Sequence, residues 1–195
     1  METWTQRAYA DPVPYLRHRA RVIVELGPPV EQDDLLLDLA CGDGGLADFL
    51  PCRYLGVDAD AKMIEEARAL GRSVVKADLN DFEPEQPVDV TTIFRAIYDA
   101  HDRLAFLRRV ASFTTKKLVF DLNPRQYRLD DVLADLRAAG FDGVALRPFF
   151  VPQTVALPAP LSALLRAAER SGPLARTALR LRFTYLVAGF RSEKE

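Results

Sequence analysis

The sequence predicts an α/β protein built on a doubly wound, mostly parallel sheet of seven strands whose last strand runs antiparallel. Three observations carry this. Apolar, β-prone runs recur at roughly 20–30-residue intervals with helical patterns between them, as right-handed β-α-β crossovers require. The run LLLDL at 35–39 is apolar except for Asp38 and breaks at once into Ala40-Cys41-Gly42-Asp43-Gly44-Gly45. A buried parallel strand reads this way, and glycines without Cβ atoms let the backbone turn sharply and approach a ligand at the strand's carboxyl end. Finally, FTYLVAGFR at 183–191 is β-prone but follows a proline-interrupted stretch rather than a single crossover helix, so it is expected to insert antiparallel.

The first 14 residues are polar and aromatic, with Pro12 and Pro14, and are expected to form a surface arm. Residues 15–26 carry Leu16, Val22, Ile23 and Leu26 interleaved with Arg17, Arg19 and Arg21, an amphipathic helix ended by Gly27-Pro28-Pro29. His18 reads as a histidine on that helix's surface. After the first strand, 46–50 is a short helix stopped by Pro51. YLGVD at 54–58 is the second strand, and a helix over 61–70 follows it. Asp58 ends the strand, where a carboxylate can accept hydrogen bonds from both hydroxyls of a ribose. Asp60 sits directly before the helix and is the better N-cap.

SVVKAD at 73–78 is the third strand, again ending in a carboxylate, Asp78. Val88–Phe94 is the fourth, running into Arg95-Ala96-Ile97-Tyr98-Asp99-Ala100-His101-Asp102. A helix over 103–113 has Leu104, Leu107 and Val110 on one face. The fifth strand is read at 118–122, a helix at 129–139, and a sixth strand at 141–148. Residues 152–182 then form an insertion before the last strand. Residues 1–195 read as one domain, with 1–30 its N-terminal arm and helix.

Composition narrows the function classes. The 195 residues are 49% apolar and 28% charged, enough for one sizeable core. Lys and Arg number 26 against 28 Asp and Glu, which gives no support to nucleic-acid binding. Two cysteines make no disulfide framework. There is neither a leader-like apolar core at the N-terminus nor a run long enough to span a membrane, so a cytoplasmic location is expected.

Taken together, LDLACGDG (37–44), GVDAD (56–60) and KADL (76–79) resemble the first three motifs of the class I S-adenosylmethionine (SAM)-dependent methyltransferases. The likeness runs over about 35–191 and implies a Rossmann-like fold. That family commonly has Gly where Ala40 stands. The resemblance implies SAM as cofactor, leaving as S-adenosylhomocysteine (SAH). It implies a cofactor surface of Asp38, Ala40, Cys41, Gly42, Gly44, Asp58, Ala59, Met63, Ala77, Asp78, Leu79, Phe94 and Arg95. Asp38 would hold the methionine amino end, Asp58 the ribose, Asp78 the adenine amino group, and Leu79 would cover the ring. No metal is implied.

The same loop satisfies G-x-G-x-x-A at Gly42–Ala47, so an NAD-binding oxidoreductase competes. Against it, the helix after the loop is short and Asp78 has no task in that scheme. The expected activity is methyl transfer to an O, N or C atom of a small-molecule acceptor, with a SAM-binding regulatory protein that does not turn over as the alternative. His101 is the candidate general base, because its ordinary pKa lies near neutrality, with Tyr98 beside it. His101 could equally stay solvated, with Asp102 capping the next helix. Asn123-Pro124-Arg125-Gln126-Tyr127 resembles an amino-methylating motif but follows the wrong strand. For 152–182 three roles are open: a helical cover on the sheet edge, a lid over the acceptor, or peripheral membrane or lipid contact through the basic amphipathic stretch 158–182. The sequence does not set the oligomeric state.

Overall fold

The computed structural model describes residues 2–181 and 183–191; Arg182, which closes the predicted insertion, and the chain ends lie outside the described residues. Seven strands form one sheet in the order β3-β2-β1-β4-β5-β7-β6. They are β1 (Leu35–Leu39), β2 (Arg53–Asp58), β3 (Val74–Lys76), β4 (Val88–Ile93), β5 (Thr114–Leu122), β6 (Gly143–Pro148) and β7 (Tyr185–Phe190). The first five are parallel, and β7 runs antiparallel to both neighbours, β5 and β6. The chain winds outward from β1 in one direction and from β4 in the other. The crevice between their carboxyl ends is where this topology holds ligands.

Alternation along the strands splits the core in two. Leu37 and Leu39 of β1, Leu118 and Phe120 of β5 and Val187 of β7 face α4 (Arg103–Phe113) and α5 (Leu129–Ala138). Leu36, Val119 and Leu186 face the opposite layer, made by α2 (Pro12–Glu25). Asp38, one residue on from Leu37, therefore points to the α2 side.

The remaining elements are α1 (Trp4–Ala8), α3 (Ala61–Ala69), α6 (Ala159–Glu169) and α7 (Gly172–Leu181). Helices α6 and α7 fill the connection between the two antiparallel strands β6 and β7. Asp60 and Asp102 cap α3 and α4: their side chains accept from the Lys62 and Ala105 N–H groups at 2.8 and 3.0 Å.

Four expectations need correction. Residues 4–8 are a helix rather than an arm, and α2 begins at Pro12, because prolines fit a helix's first turn where their missing N–H is not needed. The short helix after the loop is a single 3-10 turn, Ala47–Phe49. Strand β5 starts at Thr114, four residues before the apolar run. Its polar start is satisfied internally: the Thr114 and Thr91 hydroxyls bond at 2.6 Å, and Lys117 reaches α2. The fully buried Lys117 ammonium donates to the carbonyls of Ile23 (2.6 Å) and Leu26 (2.8 Å), satisfying acceptors left open at the helix end. Burial lowers its pKa to about 8, with Lys116 adding to the effect.

His18 is the fourth. It is buried rather than on the surface. Its Nε2 lies 2.6 Å from Glu169 Oε2, and its ring stacks on Phe149. Glu169 Oε1 accepts the Phe150 N–H at 2.7 Å. One buried carboxylate thus ties α2, α6 and the chain after β6 together.

Candidate functional site

A cleft of about 670 Å³ opens at the carboxyl ends of β1, β2 and β4, a size suited to a drug-sized ligand. The turn after β1 makes its floor. Ala40 and Gly42 take left-handed backbone, with φ of 59° and 60°. At Gly42 a glycine is favoured by its φ, and a Cβ there would press on the Trp4 ring at 3.1 Å. The same left-handed conformation at Ala40 is strained for a side chain and natural for glycine.

Three carboxylates shape the loop. Asp38, 4% exposed, accepts the Thr92 hydroxyl at 2.7 Å and the Tyr54 hydroxyl at 3.0 Å. Thr92 is its register partner on β4, which is why the bond forms. Burial pushes the Asp38 pKa up to about 6, against the pull of the two hydroxyls. Asp58 accepts the Gly42 N–H at 2.8 Å on one oxygen and the Asp60 N–H at 2.9 Å on the other. Each oxygen keeps a lone pair for a ligand. Asp43 is fully buried and turned from the cleft: it accepts the Thr5 N–H at 2.9 Å, the Thr5 hydroxyl and the Gly45 N–H at 3.2 Å.

Asp43 thereby docks α1 on the loop. Glu66 of α3 completes the dock by accepting the Trp4 N–H at 2.8 Å. Trp4, Thr5 and Tyr9 consequently line the cleft, and Leu16 and Arg19 of α2 line it beside them. None of these was expected at the site. Trp4 and Tyr9 lie in a segment with no periodicity strong enough to place it. Arg19 falls among the arginines of an amphipathic pattern, where a solvated position is expected, yet it is 4% exposed.

The structure places the expected cofactor residues as follows. From the first loop, Asp38, Ala40, Cys41 and Gly42 line the cleft, but Gly44 does not. From the second and third strand ends come Asp58, Ala59, Met63, Ala77, Asp78 and Leu79, and from the fourth Phe94 and Arg95. Asp78 is exposed at the rim, held below the usual carboxylate range by the Asn80 amide groups that donate to it. Burial pushes the Cys41 thiol well above its ordinary range, so it stays protonated.

The two acid-base candidates separate. His101 lines the cleft, exposed, with its backbone N–H on Asn80 Oδ1 at 3.0 Å. Tyr98 is not among the lining residues. Its hydroxyl accepts the Asn123 N–H, its ring stacks on Tyr127 at 5.1 Å, and burial raises its pKa to about 12. Its apolar environment draws the ring into the α4–α5 core instead. No residue of 152–178 lines the cleft. Leu161, Leu164 and Leu174 in that stretch are exposed. No described helix is long and apolar enough to cross a membrane. No cluster of three or more metal-ligating side chains occurs among the described residues.

The single 3-10 turn after the loop gives no helix N-terminus for a dinucleotide pyrophosphate. Comparison with known proteins agrees. The family model described as a methyltransferase domain matches residues 36–117. A SAM-dependent methyltransferase from Clostridium acetobutylicum superposes with a TM-score of 0.62 at 14% identity, over 95% of this chain and 94% of that one. Magnesium protoporphyrin IX methyltransferase from Synechocystis, solved with bound SAM, gives 0.59 at 16% over 83% and 71%. Among curated proteins, trans-aconitate 2-methyltransferase of Rhizobium rhizogenes is 39% identical over 69 residues, 32% of this chain and 27% of that protein. The chain spans less than half the length of the curated relatives it matches.

Proposed function

Taking the chain as a member of the class I SAM-dependent methyltransferase family, we propose that it binds SAM in this cleft and transfers the methyl group to a small-molecule acceptor. The observation that carries the reading is the loop geometry. Left-handed backbone at Ala40 and Gly42 lies against two carboxylates at strand ends, Asp38 and Asp58, each with its own donors and each lining the cleft.

The residues present fit the cofactor. Asp58 would take the ribose hydroxyls with the lone pairs it does not spend on the loop. Asp38 would take the methionine ammonium, and that partner would return the buried carboxylate to full ionisation. Met63, Ala77 and Leu79 offer apolar walls for a base, with Asp78 at its polar edge. Bound SAM supplies a sulfonium methyl for in-line displacement by the acceptor's lone pair. The chain's own contribution is position and dryness. Trp4 covers Gly42 from above, and Phe94 closes the wall after β4. An acceptor that needs a base would find His101 at the rim; one already ionised would not need it.

The name of the curated relatives, trans-aconitate 2-methyltransferase, supports a carboxylic acid as acceptor. The test is calorimetry with SAH, then transfer of labelled methyl from SAM across acids, amines and phenols. Micromolar SAH binding and transfer to at least one class is the expected result. Absence of SAH binding refutes the proposal.

A further inference from the structure

Helices α6 and α7 stand apart from the cofactor cleft, and their outer face is apolar. Between Val155 and Ala168 the chain holds one charged side chain, Arg166. Pro160, Leu161, Ala163, Leu164 and Ala167 are exposed along α6, as are Val155 before it and Leu174 on α7. Leu161 and Leu164 are three residues apart and share one side of the helix, and Leu164 is 65% exposed. Large apolar side chains gathered on one face mark a contact surface, where single scattered ones would not.

The charge on this surface is of one sign. Residues 152–182 contain five arginines and a single acid, Glu169, in a chain whose net charge is −2. Glu169 is buried and turned inward, onto His18 and the Phe150 N–H. Arg170 is paired with Glu25 at 2.9 Å. Arg166 and Arg176 form no hydrogen bond or ion pair among the described residues. Arg166, half-buried, lines a second cavity of about 230 Å³ between the start of α2 and α6. Pro14, Val155 and Leu157 give that cavity apolar walls, and Ser162 lies one turn before Arg166 on the same side of α6. Asp11 borders the cavity too, and Arg17 and Arg21 stand exposed farther along α2.

We propose that this surface docks the protein on an anionic lipid bilayer, with the exposed leucines entering the interface and Arg166 and Arg176 meeting lipid phosphates. Shallow apolar insertion and attraction to acidic headgroups act together in such peripheral binding, and neither suffices alone. The charge pattern selects this occupant over a second copy of the chain. A two-fold contact sets one patch against itself and would bring the unpaired arginines of one protomer towards those of its partner. A layer of acidic headgroups complements them instead. Because no residue of 152–178 lines the cleft, docking is separable from cofactor binding.

Co-sedimentation of the full chain at about 0.15 M salt compares vesicles of phosphatidylcholine alone with vesicles carrying about 30% phosphatidylglycerol. Expected is binding to the acidic vesicles at least about tenfold tighter than to the neutral ones. That binding should weaken about tenfold or more in Leu161→Ser/Leu164→Ser and again in Arg166→Gln/Arg176→Gln, with the melting temperature of each variant unchanged. The arginine pair carries the test if the leucine pair does not fold. Three results overturn the proposal. The wild-type chain does not bind acidic vesicles; or it binds both kinds equally and the arginine variant changes nothing; or binding to acidic vesicles survives both pairs of substitutions, which places the contact elsewhere. A wild-type dimer in light scattering that Leu161→Ser/Leu164→Ser dissolves, with no vesicle binding, assigns the face to a second copy and overturns it as well.

Discussion

Replacing Asp38 by Asn should stabilise the ligand-free protein at pH 8 while crippling cofactor binding. The variant keeps the shape and lets an amide oxygen accept the Thr92 hydroxyl, now at 2.7 Å from the carboxylate. What it removes is a buried charge. The Asp38 pKa stands at about 6 in the folded protein against an ordinary 3.8. A folded-state pKa raised in this way means the folded protein binds more protons than the unfolded chain between those values. The contribution is therefore favourable at low pH and is lost as pH rises through about 6. A gap of about two pH units, at 1.36 kcal/mol each, makes that loss about 3 kcal/mol at pH 8. Asn does not titrate and escapes it. Paired urea melts from pH 4 to 8 should show the two proteins within about 1 kcal/mol at pH 4 and Asp38→Asn ahead by about 2–3 kcal/mol at pH 8. SAH affinity at pH 8 should fall roughly 10- to 100-fold if Asp38 makes the charge-assisted contact proposed above. A variant less stable than wild type at pH 8, or a difference that does not change with pH, would refute the reasoning.

Asp58→Ala removes the acceptor for the Gly42 and Asp60 N–H groups together with the ribose contact proposed above, so SAH affinity should drop about 100-fold by calorimetry, on about 3 kcal/mol of lost bonds. Glu169→Ala strands the buried His18 and the Phe150 N–H and should cost about 3 kcal/mol in urea unfolding; a loss under about 1 kcal/mol would show that the α2–α6 tie is unimportant. Trp4→Ala takes the indole off Gly42 while leaving the backbone dock on Asp43 and Glu66 in place; SAH should dissociate about tenfold faster in stopped flow, and an unchanged rate would detach α1 from cofactor retention.

Where the sequence was informative, the signal was local. Strand β1 and its loop are adjacent in the chain, so an apolar run breaking into glycines reports both the strand and the turn. Asp58 lies at a strand end for the same reason, and Asp78 lies in the turn just past one. The start of β5 was hidden because Thr114 and Lys117 are polar residues whose partners, Thr91 and the end of α2, lie far away in sequence. His18 and Glu169 are 151 residues apart, and neither carries a mark of the other. Tyr98 shows the converse: proximity to His101 in the chain suggested a shared role, but its ring turned into the core and bonded Asn123.

The sequence by itself determined the sheet's class, the antiparallel last strand and the glycine-rich loop after β1, because strand period, turn chemistry and the order of β-α units are properties of neighbouring residues. Only the tertiary structure decided what closes and charges the cleft. Trp4 and Arg19 become site residues because α1 docks on Asp43 and Glu66 and because α2 crosses the face to which Asp38 points. An arginine's burial is a property of what packs around it, and no local pattern distinguishes Arg19 from the solvated arginines on either side.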